Sequence, residues 1–199
     1  MGLRPSFPRC LLAAGAFIAV VAIARPAAAQ TASGQASAVQ TTVSGLAGST
    51  TTVLANTGTL SDPTDALQAS SLTGDVPSIL TAETLHATTI GLGDRVASEA
   101  SLAGLALTVA GNTIGADFVM SRVQAVQGAA GTVTTSIGGL SINGVPVAVD
   151  TAPNQVIAIP GGQVVLNELS AAGTAVNALH VTVYGVADVV VASATAAIQ

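Results

Sequence analysis

Apolar and polar residues alternate with a period of two along much of this chain. Val39, Thr41 and Val43 interleave with Gln40, Thr42 and Ser44, and Leu179, Val181 and Val183 interleave with His180, Thr182 and Tyr184. Such alternation puts successive side chains on opposite faces of a strand. Thr and Val dominate these runs, and both suit a pleated, half-buried surface. Turn signals recur at Gly111-Asn112, Asn143-Gly144 and Pro160-Gly161-Gly162. Asn143-Gly144 predicts a two-residue type I′ turn between Leu140/Ile142 and Val145/Val147, because both turn positions accept positive φ. Pro146 lacks an amide donor, so its strand is expected at a sheet edge. The segment Asp62 to Thr84 reads as the longest loop, with room for one helical turn, and residues 30–38 read as a short polar leader. The pattern predicts an all-β fold, an antiparallel β-sandwich built from two duplicated halves, with a β-solenoid as the alternative. A solenoid repeats about every 20–50 residues, and no period that short is evident. An outer-membrane barrel would need aromatic girdles that Phe118 and Tyr184 do not supply.

The duplication rests on one offset. Leu85-His86-Ala87-Thr88-Thr89-Ile90-Gly91-Leu92-Gly93-Asp94 returns as Leu179-His180-Val181-Thr182-Val183-Tyr184-Gly185-Val186-Ala187-Asp188. The same offset, about 94 residues, lays Val43-Ser44-Gly45-Leu46 on Ile137-Gly138-Gly139-Leu140 without a gap. The expected organisation is a single β domain over 39–199, with copies at about 39–100 and 133–194.

The N-terminus has the form of a secretory signal peptide. Arg4 and Arg9 precede an uncharged apolar run from Leu11 to Ala24, and Ala27-Ala28-Ala29 supplies a small-residue cleavage site before Gln30. Pro26 ends any helix there, and the run is short of the ~20 residues of a membrane span. Residues 1–29 are therefore expected to be removed, leaving a secreted, extracellular or periplasmic chain without a transmembrane segment. Cys10, the one cysteine, leaves with them, so no disulfide or thiolate metal site is available. Arg95 and Arg122 then face all ten acids, a net charge of −8, and the chain holds no lysine. Such a surface repels nucleic-acid phosphates and anionic lipids.

Few residues carry chemistry. His86 and His180 are the only histidines. Under a pseudo-twofold axis they could converge with Asp94 and Asp188 on a cation, two imidazoles and two carboxylates being a zinc-type set. Glu168, beside Asn167 and upstream of Asn177 and His180, could form an acid/base site. The plainer roles are structural: His180 on the polar face of a strand, hydrogen-bonded to a neighbour, and each Asp in a turn. Gly91-Leu92-Gly93 is not followed by lysine and is no phosphate loop, and no Gly-x-Ser-x-Gly elbow surrounds Ser44. No organic cofactor is implied.

The C-terminal third carries the most specific pattern. Leu140-Ser141-Ile142-Asn143-Gly144, Pro153-Asn154-Gln155 and Pro160-Gly161-Gly162-Gln163-Val164-Val165-Leu166-Asn167-Glu168 are followed by Val176-Asn177-Ala178-Leu179-His180-Val181 and Ala187-Asp188-Val189-Val190-Val191-Ala192-Ser193-Ala194. In that order and spacing residues 130–198 resemble the choice-of-anchor P family of secreted bacterial surface proteins. The resemblance implies a surface-associated domain, with Asn167, Glu168, Asn177 and His180 as family-motif residues. The last residues, Ala197-Ile198-Gln199, hold no sortase motif or hydrophobic tail, which makes release or periplasmic residence the expectation. The functional expectation is a non-enzymatic structural or adhesive β domain, with a cell-envelope partner or self-association through strand edges. The alternative is a metal-dependent binding module or hydrolase using His180 and Glu168.

Overall fold

The computed structural model describes Gly2 and residues 31–46 and 48–199; the signal-peptide reading falls outside the described residues. Among the described residues thirteen strands follow in order. They are β1 (Ala32–Gly45), β2 (Gly48–Asn56), β3 (Ala66–Val76), β4 (Leu80–Gly91), β5 (Arg95–Val109), β6 (Asn112–Val126) and β7 (Ala129–Gly138). After them come β8 (Ser141–Ile142), β9 (Val145–Pro146), β10 (Gln155–Ile159), β11 (Gly162–Leu169), β12 (Ala175–Val183) and β13 (Ala187–Ile198). One sheet has the order β10-β11-β12-β13-β1-β2; the other runs β3-β4-β5-β6-β8-β9, with β7 also on β6. All pairings are antiparallel. β13 packs on β5 and β6, and β1 on β4 and β5. The fold is the expected β-sandwich, and the solenoid alternative falls away.

The turn chemistry is as expected. Asn143 and Gly144 take φ of 51° and 76° between β8 and β9, and Pro146 sits on the border strand β9. Two other expectations are corrected. Residues 32–38, read as a leader, are the first half of β1, paired along β13 from Ala32↔Ile198 to Ser37↔Ser193. The stretch 62–84 is mostly the hairpin β3–β4, and the irregular connection is limited to residues 57–65. Short polar and small residues obscured both strands: Ala and Gly fill the inward positions of 32–36, and on β3 Leu67 and Ala69 are out of phase with Gly74 and Val76.

The reason lies in a reversal of phase. On β1 the inward positions are Ala32, Gly34 and Ala36, then Val39 and Thr41. On β13 they are Ala187, Val189 and Val191, then Ala194 and Ala196. On β12 they are Val176 and Ala178, then Leu179, Val181 and Val183. Each strand switches parity at one level, where Asn167, Ala178, Ala192, Ala38 and Ala55 lie side by side between regular ladder pairs. Asn167, Ala192 and Ala55 hold φ of 53°, 51° and 47°, the left-handed region that turns a strand over. The second sheet does the same through Thr84 (φ 48°) and Gly104 (φ 57°), so that β5 turns from Ala100 and Leu102 to Leu105 and Leu107.

The interior holds two stacked clusters. The level separates most of their residues in the first sheet, whereas in the second sheet Leu85 and Leu102 beyond it stay with the larger cluster. The larger draws Val39, Leu85, Leu102, Leu107, Ile114, Val119, Leu166, Leu179 and Val181 from both sheets. The smaller joins Ala32, Leu60, Val96, Val123, Val176, Ala194 and Ala196. Each fully buried Leu or Val stabilises the fold by about 1.5–3 kcal/mol. Gly34 lets the sheets approach closely there, since a Cβ would press on Thr89, Val96 and Ser98 at 2.8–2.9 Å.

The offset repeat maps onto the topology only in part. β3-β4-β5 and β11-β12-β13 are consecutive antiparallel triplets in opposite sheets, but β1 is interior and β7 is a border strand. The Val43–Leu46 match to Ile137–Leu140 therefore joins non-equivalent positions, and the boundaries 39–100 and 133–194 do not delimit the sheets. The β-branched, exposed Thr84 is strained in the left-handed region. Thr84→Gly should raise stability by about 1 kcal/mol and Gly104→Ala lower it by a similar amount, as read by chemical denaturation.

Candidate functional site

The outer face of the first sheet gathers the residues that the sequence singled out. Leu179 and Val181 point inward, which turns His180 and Thr182 outward on β12. Simple alternation from Val164 and Leu166 would bury Glu168. The left-handed Asn167 reverses that phase and puts Glu168 outward, and the same reversal turns Asn177 outward on β12. Asp188 follows on β13, opposite Thr182.

The ring of His180 is held from both sides. Its Nδ1 lies 2.8 Å from Glu168 Oε2 and its Nε2 lies 2.9 Å from Asp188 Oδ2. Asn177 Nδ2 donates to the same Glu168 oxygen at 2.7 Å, and Thr182 Oγ1 donates to Asp188 Oδ2 at 3.1 Å. One imidazole thus stitches β11, β12 and β13. With both carboxyl groups ionised, each can accept an N–H from the ring, and the form that satisfies both is the imidazolium. Partial burial, the largest single influence, pulls the His180 pKa down; the Asp188 hydrogen bond, attraction to Glu168 and Asp188, and the Glu168 hydrogen bond together overcome it, so the pKa stands above 6.5.

This arrangement limits the chemistry. A metal ligand or general base needs an imidazole lone pair, and both nitrogens are engaged. Glu168, His180 and Thr182 have the order of an orienter, base and nucleophile. However, Thr182 is 3.4 Å from Nε2, and its hydroxyl donates to Asp188, the nearer partner of that nitrogen.

Glu168, Asn177 and His180 therefore meet, Asn167 faces the other way, and the four-residue metal set is not assembled. His86 lies on the outer side of β4, in the opposite sheet, between Ser70 on β3 and Ser101 on β5. Asp94 occupies the β4–β5 turn and pairs with Arg95 at 3.1 Å. The residue opposite Thr88, in the place that Asp188 takes opposite Thr182, is Glu99. The longer β4–β5 hairpin thus breaks the gapless correspondence. Among the described residues no group of three or more His, Cys, Asp or Glu is placed to hold a metal.

Asn167 does separate work behind the clamp. Its side chain, nearly buried, donates to the carbonyl of Asp150 at 2.7 Å and accepts from Thr135 Oγ1 at 2.7 Å. It ties β11 to β7 of the opposite sheet and to the connection before β10. Sequence reasoning did not single out Thr135, Asp150 or Thr182; only the period-two position of Thr182 beside His180 was a signal.

No family model, no curated protein and no solved structure matches the chain.

Because the folded pKa of His180 is raised, the clamp's stabilisation is complete below 6.5 and is lost as pH rises through the higher folded value. His180→Gln should therefore lose most stability relative to the parent at acidic pH, with the gap narrowing in alkaline buffer. Thermal unfolding across that range checks the sign, and a pH-independent gap would refute the imidazolium assignment. Asn167→Ala should cost about 2–3 kcal/mol, by stranding its partners and straining alanine at positive φ.

Proposed function

We propose that this chain is an exported, non-enzymatic β-sandwich with a structural or adhesive role at or near the cell envelope. The observation that carries this reading is the closed clamp on His180, whose two ring nitrogens are both spent on holding strands together. The one histidine–carboxylate constellation of the C-terminal third is thereby a structural element on an open sheet face. Export is supported by the n-region, apolar run and Ala27-Ala28-Ala29 site. The motif order that resembles choice-of-anchor P proteins supports a surface role, and the shared placement of the Leu85-His86 and Leu179-His180 hairpins supports duplication of a three-strand unit.

An adhesive or self-associating role also fits the sheet borders. β2, β7 and β10 are border strands without a charged residue. Such edges lack the charges that usually block pairing with another strand.

The test combines location and chemistry. The chain recovered from the medium or periplasm should begin at Gln30 by mass spectrometry. It should hold no stoichiometric metal and show no turnover on ester, peptide and glycoside substrates that Glu168→Gln abolishes. Stoichiometric zinc that disappears in His180→Ala, or hydrolysis lost in Glu168→Gln, would replace the structural reading with the metal-dependent or hydrolytic one.

A further inference from the structure

Six hairpin tips meet at one end of the sandwich, and a chain of hydrogen bonds joins them. Ser44 N donates to Val186 O at 2.8 Å, linking the β1–β2 tip to the β12–β13 tip. Tyr184 N donates to Gly161 O at 2.9 Å, reaching the β10–β11 tip. Asn112 Nδ2 donates to Pro160 O at 2.9 Å, and Asn143 N to Thr113 O at 2.7 Å, bringing in the β5–β6 and β8–β9 tips. Thr108 N donates to Ile79 O at 2.7 Å and adds the β3–β4 tip. The described tip residues are Leu46, Pro77-Ser78-Ile79, Ala110-Gly111, Asn143-Gly144, Pro160-Gly161 and Tyr184-Gly185-Val186, and none is charged. At the opposite end lie Asp62, Asp65, Asp94 and Arg95, together with Thr31 and Gln199, whose backbones bond to each other.

We propose that this uncharged end is a docking platform for a neutral, zwitterionic phospholipid surface. Its apolar side chains project outward: Leu46 is fully exposed (113%), Tyr184 is 64% exposed and Val145, next to the Asn143-Gly144 tip, is 63% exposed. Projecting side chains suit a yielding lipid interface better than a groove-lined protein partner. The bonds between tips satisfy backbone groups that would otherwise resist leaving water. Tyr184 combines an apolar ring with a hydroxyl, the amphipathic form that settles at headgroup depth. Charge selects the lipid. A net charge near −8 on the processed chain repels anionic headgroups, and the outermost tip residues add no charge of their own, the nearest acids being Asp75 and Asp188 on the strands just behind the tips. Insertion is shallow, with the tips in the interface and the sheets outside it.

The platform adds a partner class to the adhesive reading and is tested apart from it. The full-length chain, purified as the cell processes it, is mixed with phosphatidylcholine vesicles and sedimented. The parent should partition to the vesicles, and Leu46→Asp/Tyr184→Asp together should weaken partitioning by at least about tenfold. Leu72→Asp, at a β3 side chain that is 84% exposed but away from the tips, should bind as the parent does. A parent chain that stays in the supernatant overturns the proposal, as does an equal loss in Leu72→Asp. So does a lipid-free dimer, seen by sedimentation velocity, that the double substitution dissolves, because the tips would then seat on a second copy. Failure here leaves the non-enzymatic reading standing, and hydrolytic turnover would refute that reading without touching vesicle binding.

Discussion

The reversal of inward and outward phase across both sheets is the constraint on which the rest of the sandwich depends. Alternation along a strand is strict, so an uninterrupted strand of twelve to fifteen residues, as in β4, β5, β6 and β13, commits every second side chain to one face. Left-handed residues at Ala55, Asn167 and Ala192 in one sheet, and at Thr84 and Gly104 in the other, release that commitment at a single level. Each such non-glycine residue costs about 1–2 kcal/mol of backbone strain. The strain persists because all neighbouring strands turn over together, which keeps the ladder in register above and below. Two clusters of small aliphatic side chains can then be buried by strands that run through both.

The same device creates the polar face. Without the turn at Asn167, Glu168 would lie among Val164 and Leu166 in the interior, where an ionised carboxylate is costly. With it, Glu168 and Asn177 arrive beside His180 and Asp188, and the imidazolium finds a carboxylate on each side. The clamp is half-exposed, so its value lies less in bulk stability than in fixing three strands laterally with charge-assisted bonds. Asn167 serves both sides of the strand: its backbone supplies the reversal, and its side chain secures β7 and the connection before β10.

Polarity from end to end is the second consequence of this topology. Hairpins collect six uncharged tips at one end, while the connection between β2 and β3 and the charged turn residues Asp62, Asp65, Asp94 and Arg95 fall at the other. Short Gly-, Pro- and Asn-containing turns leave little room for charged side chains at the tip end. An uncharged, rigidly tied end and a charged end follow from where the turns fall rather than from any one motif.

Much of this was legible along the chain. Period-two alternation of Val and Thr established an all-β sandwich, Asn143-Gly144 established its hairpin turn, and Pro146 established a border strand, because each depends on local backbone preference. The placement of His180 on a polar strand face followed from the same alternation. Residues 32–38 and 66–76 were not legible as strands, since Ala and Gly hold most inward positions of the first, and on the second the phase reversal puts Leu67 and Ala69 out of step with Gly74 and Val76. Nor could an equal offset reveal that Glu99, not Asp94, stands where Asp188 does, because hairpin length is set by pairing rather than by sequence identity. By itself the sequence determined the fold class, the turns and a scarcity of reactive groups, all properties of neighbouring residues. The tertiary structure alone decided the phase reversal, the union of Glu168, His180 and Asp188 with the exclusion of His86, and the gathering of the six tips. Those depend on strain at one position being held by strands far away in the chain.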